Sequence, residues 1–189
     1  MNLSKTVTSD VTLFWLRRDL RLTDNAGLYH ALKEKGNVLC VFIFDSHILD
    51  KLEDEDDRRV TFIYQSLTLL KNDLERHGSS LLVVHSTPEQ FFASVSPKAV
   101  YTNHDYEPYA RKRDELVADI LAKKQVEFKS FKDQVIFEKG EVLKDDGSPY
   151  TVFTPYSKKW KAALKPFYYK TYPTEKYFVN LIKTDPLAM

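Results

Sequence analysis

The chain has 189 residues and sets 28 Lys and Arg against 27 Asp and Glu, a net charge of +1. That length makes one ordinary domain, able to bury roughly 70% of its unfolded surface without a metal or disulfide staple. The even charge excludes a strongly basic nucleic-acid arm or a disordered acidic tail as its dominant feature.

The first ten residues, MNLSKTVTSD, carry no apolar signal core and read as a flexible N-terminus. Val11–Leu16 reads as a buried strand. A helix follows from Asp24 to Glu34, with cap oxygens on Thr23, Asp24 and Asn25. Asn37–Phe44 is a second buried strand; it holds the longest apolar run, LCVFIF, far short of the ~20 residues of a membrane helix. It also holds the only cysteine, Cys40, which excludes an intramolecular disulfide and a Cys-rich metal site and points to a reducing, cytoplasmic compartment. A long helix from Asp57 to His77 places Val60, Ile63, Tyr64, Leu67, Leu70 and Leu74 at helical spacing, and Gly78 ends it. Ser80–Ser86 is the third strand, Pro88–Val95 a short helix and Ala99–Asn103 the fourth strand. Pro108–Lys124 is a helix with Leu116, Ile120 and Leu121 inward, and Val126–Phe131 is a half-exposed fifth strand.

Strands that alternate with helices predict an α/β fold over residues 11–133: a Rossmann-like three-layer α/β/α sandwich with a five-stranded parallel sheet. Ligands of such sheets bind beyond the carboxyl ends of the strands, where strand order reverses. That rule singles out Arg17–Asn25, Asp45–Arg59, Ser86–Thr87 and Asn103–Tyr109.

The alternation fades after Asp133, so residues 134–189 read as a C-terminal extension and the start of an interdomain linker. Residues 150–178 hold ten of the 25 aromatics and six lysines against one acid. The segment is either a basic aromatic nucleic-acid face or a surface that packs against something outside this chain.

The first strand is followed by L-R-R-D-L-R-L-T-D-N instead of G-x-G-x-x-G, so the backbone cannot approach a pyrophosphate as in dinucleotide-binding folds. There is no P-loop, no H-E-x-x-H and no G-x-S-x-G, and the five histidines are scattered without metal-ligand spacing. Asp45 ends a strand as a phospho-acceptor would, but Arg17 and Arg18 stand where that chemistry needs acids.

Two clusters carry chemistry. Arg17, Arg18 and Arg21 crowd one turn with Asp19 and Asp24; they form either an internal ion-pair network or a contact for an anion. Asn103–Asp114, NHDYEPYARKRD, places Asp105 and Glu107 on one side of the chain just before Pro108 opens a helix. The two carboxylates either accept hydrogen bonds from a ligand or cap that helix.

The segments W-L-R-R-D-L-R-L-T-D-N-A-G-L, N-H-D-Y-E-P-Y-A-R-K-R-D and S-P-Y-T-V-F-T-P-Y-S-K-K-W (Ser148–Trp160) occur in that order. Together they resemble the N-terminal domain of the DNA photolyase/cryptochrome family, over nearly the whole chain after residue 10. The resemblance implies an α/β antenna domain that passes excitation to FAD for light-driven repair of pyrimidine dimers. FAD and the lesion pocket belong to a C-terminal helical domain absent from this chain, so the chain alone is expected to be inactive as a lyase. The implied partners are that FAD-binding domain and, through the full-length protein, damaged DNA, with no membrane and no metal. A cryptochrome-type photoreceptor and a free-standing nucleotide-binding α/β module are the alternatives.

The resemblance also implies a chromophore cleft. Phe42 and Asp45 in F-I-F-D-S-H-I-L match its lip, Arg59 in D-D-R-R-V matches a basic residue facing the chromophore, and Asp105 and Glu107 match acids that hold the ring's polar edge. Between them, the loop Glu53–Asp57 is richer in acids than the family pattern. The folate-binding branch carries Asn-Glu where this chain has Tyr109 and Ala110. 8-Hydroxy-5-deazaflavin or FMN is therefore favoured over methenyltetrahydrofolate.

Overall fold

Long apolar runs with no polar alternation can be strands only where both faces are covered, and Thr12–Leu16 and Val38–Asp45 at the middle of the sheet are such runs. The computed structural model describes residues 3–54 and 56–189. Met1 and Asn2 of the expected flexible N-terminus, and Glu55 of the acidic loop, lie outside the described residues. Leu3–Thr6 form one helical turn (α1), and Val7 is buried against Trp15 and its neighbours.

Five strands, β1 (Thr12–Leu16), β2 (Val38–Asp45), β3 (Leu81–Ser86), β4 (Ala99–Asn103) and β5 (Glu127–Phe131), make one sheet in the order β3-β2-β1-β4-β5. Every pairing is parallel. The chain steps outward one way from β1 to β3 and then the other way from β4 to β5, so strand order reverses between β1 and β4. This is the α/β sandwich expected from the alternation of elements.

Successive residues of β1 serve opposite faces. Phe14 and Leu16 pack under α2 (Ala26–Glu34) and α4 (Arg58–Arg76), with Leu28, Leu32, Leu67 and Leu74. Leu13 and Trp15 pack under α5 (Pro88–Ser94) and α6 (Pro108–Lys123), with Phe91, Phe92, Val117 and Leu121. A short helix α3 (Ser46–Leu49) follows β2 directly. Full burial of each large side chain stabilises the fold by about 2 kcal/mol before conformational entropy is counted. Burial also pushes the Cys40 thiol up to about 12, so at neutral pH it stays protonated.

The capping residues behave as their chemistry dictates. Asn25 accepts from the Leu28 N–H, Asp57 from the Arg59 N–H, and Gly78 takes the left-handed φ of +70° after α4. Two inner stripes differ from those expected. On α6 the buried residues are Ala110, Arg113, Val117 and Leu121, while Leu116 is 52% exposed. The true stripe runs through an arginine, which an apolar count passes over. On α4 only Leu67, Leu70 and Leu74 are buried, and Tyr64 is exposed, because the first half of the helix runs past the edge of the core.

The extension after β5 divides in two. Residues 172–187 fold back on the sandwich: Thr174 donates to the Leu22 carbonyl at 2.7 Å, Phe178 and Leu181 are buried, and Leu181 bridges Val38. Residues 150–170 do not. Helix α7 (Phe153–Ala163) has no buried residue, and Phe153 and Phe167 are 78% and 79% exposed.

Candidate functional site

Where β1 and β4 end side by side, the turn Arg17–Asn25 is knitted to distant parts of the chain. Arg17 donates to both carboxylate oxygens of Asp114 on α6 at 2.6 Å and to the Asn103 carbonyl. Arg21 reaches Asp133 beyond β5 at 2.8 Å. Arg18 pairs with Glu107 at 2.9 Å and with Asp105 at 3.4 Å. The arginine turn is thus an ion-pair network. Its partner acids lie far off in the sequence, whereas Asp19 and Asp24 were the expected ones. Burial pulls the Arg17 guanidinium below its ordinary pKa, and Asp114 opposes that pull. On Arg18 the bond to Glu107 wins over burial and the pKa rises.

The free N–H groups that open α2 are also taken within the chain. Ala26 donates to Asp133 at 3.0 Å, Gly27 to Asn103 Oδ1 at 2.7 Å and Leu28 to Asn25 Oδ1 at 3.1 Å. Asn103 in turn donates to Asp19 Oδ2 at 2.6 Å. This is the place where a dinucleotide-binding fold seats phosphate; here side-chain oxygens fill it. Gly27 is required for that closure, because a Cβ would stand 2.7 Å from Asn103 Oδ1 and 2.8 Å from the Phe14 ring. The polar pocket that remains beside Arg17, Asp19, Asn103 and Asp133 holds about 80 Å³.

One strand over, beyond the carboxyl ends of β1 and β2, lies a cavity of about 240 Å³. Phe42, Phe44, Ile48, Leu49 and Ile63 give it apolar walls, and Trp15, Tyr109 and Ala110 close the side toward α6. Its charged groups are Asp45, Asp105, Glu107, Arg17, Arg18 and Arg113. Pockets for whole drug-sized ligands begin at about 300 Å³. This one suits a planar ring system, with any chain or phosphate left at the mouth.

The ring's polar edge would meet groups already held in place. Asp45 ends β2, caps α3 by accepting from the His47 N–H at 3.0 Å, and accepts from the Tyr109 hydroxyl at 2.6 Å. Burial, and then Asp45, push the Tyr109 phenol well above its ordinary pKa. Asp105 is buried within 4.0 Å of Arg113, whereas Glu107 is exposed at the mouth, where it opens α6 without making a side-chain cap. Asp105 accepts from the Glu107 N–H at 3.3 Å. Of the five residues named from the sequence, Phe42, Asp45, Asp105 and Glu107 line this one cavity.

Arg59 is not among the lining residues. Its side chain is 75% exposed and folds back onto Asp57, with Nη2 2.5 Å from the carboxylate. That pairing holds the Asp57 carboxyl down at about 2. Arg59 shares a face of α4 with Ile63, one turn outside the cavity.

Sequence reading left Trp15 and Arg113 out of the site and reached Tyr109 only as the end of the stretch Asn103–Tyr109 and as a departure from the folate-binding pattern. The spacing Ala110, Arg113, Val117, Leu121 does mark Arg113 as inward-facing. Nothing local marks Trp15, which joins the site only because β4 and α6 close over it.

Among the described residues no helix is long and apolar enough to cross a membrane, and no group of three or more His, Cys, Asp or Glu could hold a metal ion.

Residues 12–176 match the sequence profile of the DNA photolyase family. The chain is 36% identical over 167 residues to a deoxyribodipyrimidine photo-lyase of Synechococcus, which covers 86% of this chain and 34% of that protein. It is 38% identical over 157 residues to an uncharacterised 31.6 kDa Synechococcus protein, covering 81% of this chain and 55% of the relative. The chain therefore spans between about a third and just over half of these relatives. Among solved structures, the archaeal photolyase from Sulfolobus tokodaii superimposes with a TM-score of 0.63 at 34% identity, covering 71% of this chain and 32% of that one. That structure holds two FAD molecules and is described as implying a novel light-harvesting cofactor.

Proposed function

This chain belongs to the DNA photolyase family, and we propose that it is the light-harvesting domain of a deoxyribodipyrimidine photolyase. In this reading it binds an antenna ring in the cavity beyond β1 and β2. The cavity carries the proposal: apolar aromatic walls, the buried polar groups Asp45, Asp105 and Arg113, and a size that admits a ring system. Energy transfer forms no bond. It needs a ring fixed in orientation and shielded from water, which a cavity in a rigid sheet end supplies.

Phe42, with Ile48 and Ile63, would pack on the ring's faces. Asp45 and Asp105 would accept hydrogen bonds from ring N–H or hydroxyl groups. Glu107 and Arg18, at the mouth, would meet the ring's substituent. Arg59 would act at the rim, and only after leaving Asp57.

A flavin-type antenna, FMN or 8-hydroxy-5-deazaflavin, fits better than methenyltetrahydrofolate. Ala110 lines the cavity where a folate site would present a hydrogen-bonding side chain. The two FAD molecules of the archaeal relative support a flavin-type light harvester. FAD for catalysis and the DNA lesion would be held by the rest of the protein, against which the exposed aromatics of residues 150–170 would pack.

Fluorescence titration of the chain with FMN, 8-hydroxy-5-deazaflavin and methenyltetrahydrofolate in parallel tests this reading. Saturable binding of a flavin-type ring, weakened by Asp105→Asn, is the expected result. Folate binding in preference to both flavin-type rings would overturn the assignment.

A further inference from the structure

Two oxidisable side chains, Trp15 and Tyr109, line the cavity, and their surroundings are opposite. Trp15 has the guanidinium carbons of Arg17 and Arg113 each 4.9 Å from its ring centroid. Those side chains are only 8% and 7% exposed, so water screens them little. An indole that loses an electron becomes a cation, and two buried cations against its ring raise the cost of that loss. Asp114, which pairs with both arginines, offsets part of the field.

Tyr109 instead donates its hydroxyl proton to Asp45 Oδ2 across 2.6 Å. A phenol that loses an electron becomes a strong acid. A carboxylate already bonded to the hydroxyl can take the proton at once, so no new positive charge remains on the ring. Arg113 lies 5.8 Å from the Tyr109 ring and opposes electron loss, while Asp45 and Glu89 add negative charge around the phenol.

We propose that Tyr109 is a light-driven electron donor to the ring bound in this cavity, with Asp45 as its proton acceptor, and that Arg17 and Arg113 hold Trp15 out of the reaction. The proposal rests on the reading of the cavity as a flavin-type ring site. The step balances. The excited ring gains one electron, and Tyr109 loses that electron and its hydroxyl proton to become a neutral phenoxyl radical. Asp45 gains the proton. Return of the electron to the phenoxyl and of the proton from Asp45 restores all three. The hydrogen bond is then a drain on the excited state, placed in the wall of a site whose output is that excited state. It sets how much excitation leaves the domain.

The test uses the whole chain with FMN as the probe. Binding is measured in the dark by equilibrium dialysis, and the excited-state lifetime of bound FMN by time-resolved fluorescence. Tyr109→Phe is expected to lengthen the lifetime several-fold. Asp45→Asn, which keeps the phenol and removes the proton acceptor, is expected to lengthen it too, and D2O to lengthen it in the unmodified chain. With Trp15→Phe the lifetime stays as short as in the unmodified chain. FMN that binds with the same lifetime in the unmodified chain and Tyr109→Phe would overturn the electron-donor role while leaving the ring site standing. Lengthening by Trp15→Phe alone would assign the donor to the indole and likewise overturn it. Dialysis that shows no FMN bound would overturn the ring site itself, and the donor role with it.

Discussion

The two cavities at the carboxyl end of the sheet share Arg17, Arg18 and Asp105 in their walls, yet they are built for different ends. At the β1–β4 switch point Arg17, Arg18 and Arg21 meet carboxylates, the Ala26, Gly27 and Leu28 N–H groups meet side-chain oxygens, and about 80 Å³ is left. Beside β2, apolar walls and a few buried polar groups enclose about 240 Å³. The first arrangement uses its polar groups on the fold itself. The second leaves apolar surface and oriented acceptors facing a space. The general rule for open α/β sheets points at the switch point; here the chain occupies that place with its own side chains, and the space for a ligand moves one strand over.

Asp114→Asn should break the contrast most severely. It leaves the buried Arg17 and Arg113 without their shared carboxylate, and chemical denaturation should show a loss of about 3 kcal/mol. Gly27→Ala should cost about 2 kcal/mol, because the new methyl group overpacks the Asn103 and Phe14 contacts. Neither Asp114 nor Gly27 itself lines the apolar cavity, so the surviving folded protein should still take up FMN.

Ile48→Asp addresses the other side of the comparison. The residue is half exposed, so stability should barely move, whereas FMN affinity should fall about tenfold, or about 1.4 kcal/mol. Arg59→Ala should have the smallest effect on affinity, within about threefold. Its clearer signature is a titration. Asp57, held at about 2 by the Arg59 side chain, should move up toward its ordinary value, and carboxyl-carbon NMR would follow it. The Asp57 bond to the Arg59 N–H survives the substitution and should keep part of the depression. An unchanged Asp57 would mean that the pair does not form in solution.

Much of the sheet was legible because burial on both faces leaves a continuous apolar run. The fourth strand was expected over Ala99–Asn103 and is found there. Helix faces were less legible. The inner stripe of α6 contains Arg113, so apolar counting drew in Leu116, which is exposed. The arginine turn announced that it needed acids, but Asp114 and Asp133 lie 97 and 112 residues from their partners, and only the closed sheet brings them near. Phe42, Asp45, Asp105 and Glu107 could be named as a group from motif resemblance, and the fold brings them to one cavity. Trp15 escaped because an aromatic on a buried strand carries no local mark of function, and Tyr109 was marked only by its place in the stretch Asn103–Tyr109. The extension read as one segment, yet it divides at about Tyr172. From there Thr174, Phe178 and Leu181 find partners on the sandwich, while Phe153 and Phe167 stay largely exposed.

The central claim is that the apolar cavity, and not the ionic pocket beside it, holds a planar ring. A crystal structure of the chain soaked with FMN tests this most directly. The account predicts ring density between Phe42 and Tyr109, with the polar edge toward Asp45 and Asp105. Density seated instead on Arg17, Asp19 and Asn103 at the switch point would contradict it.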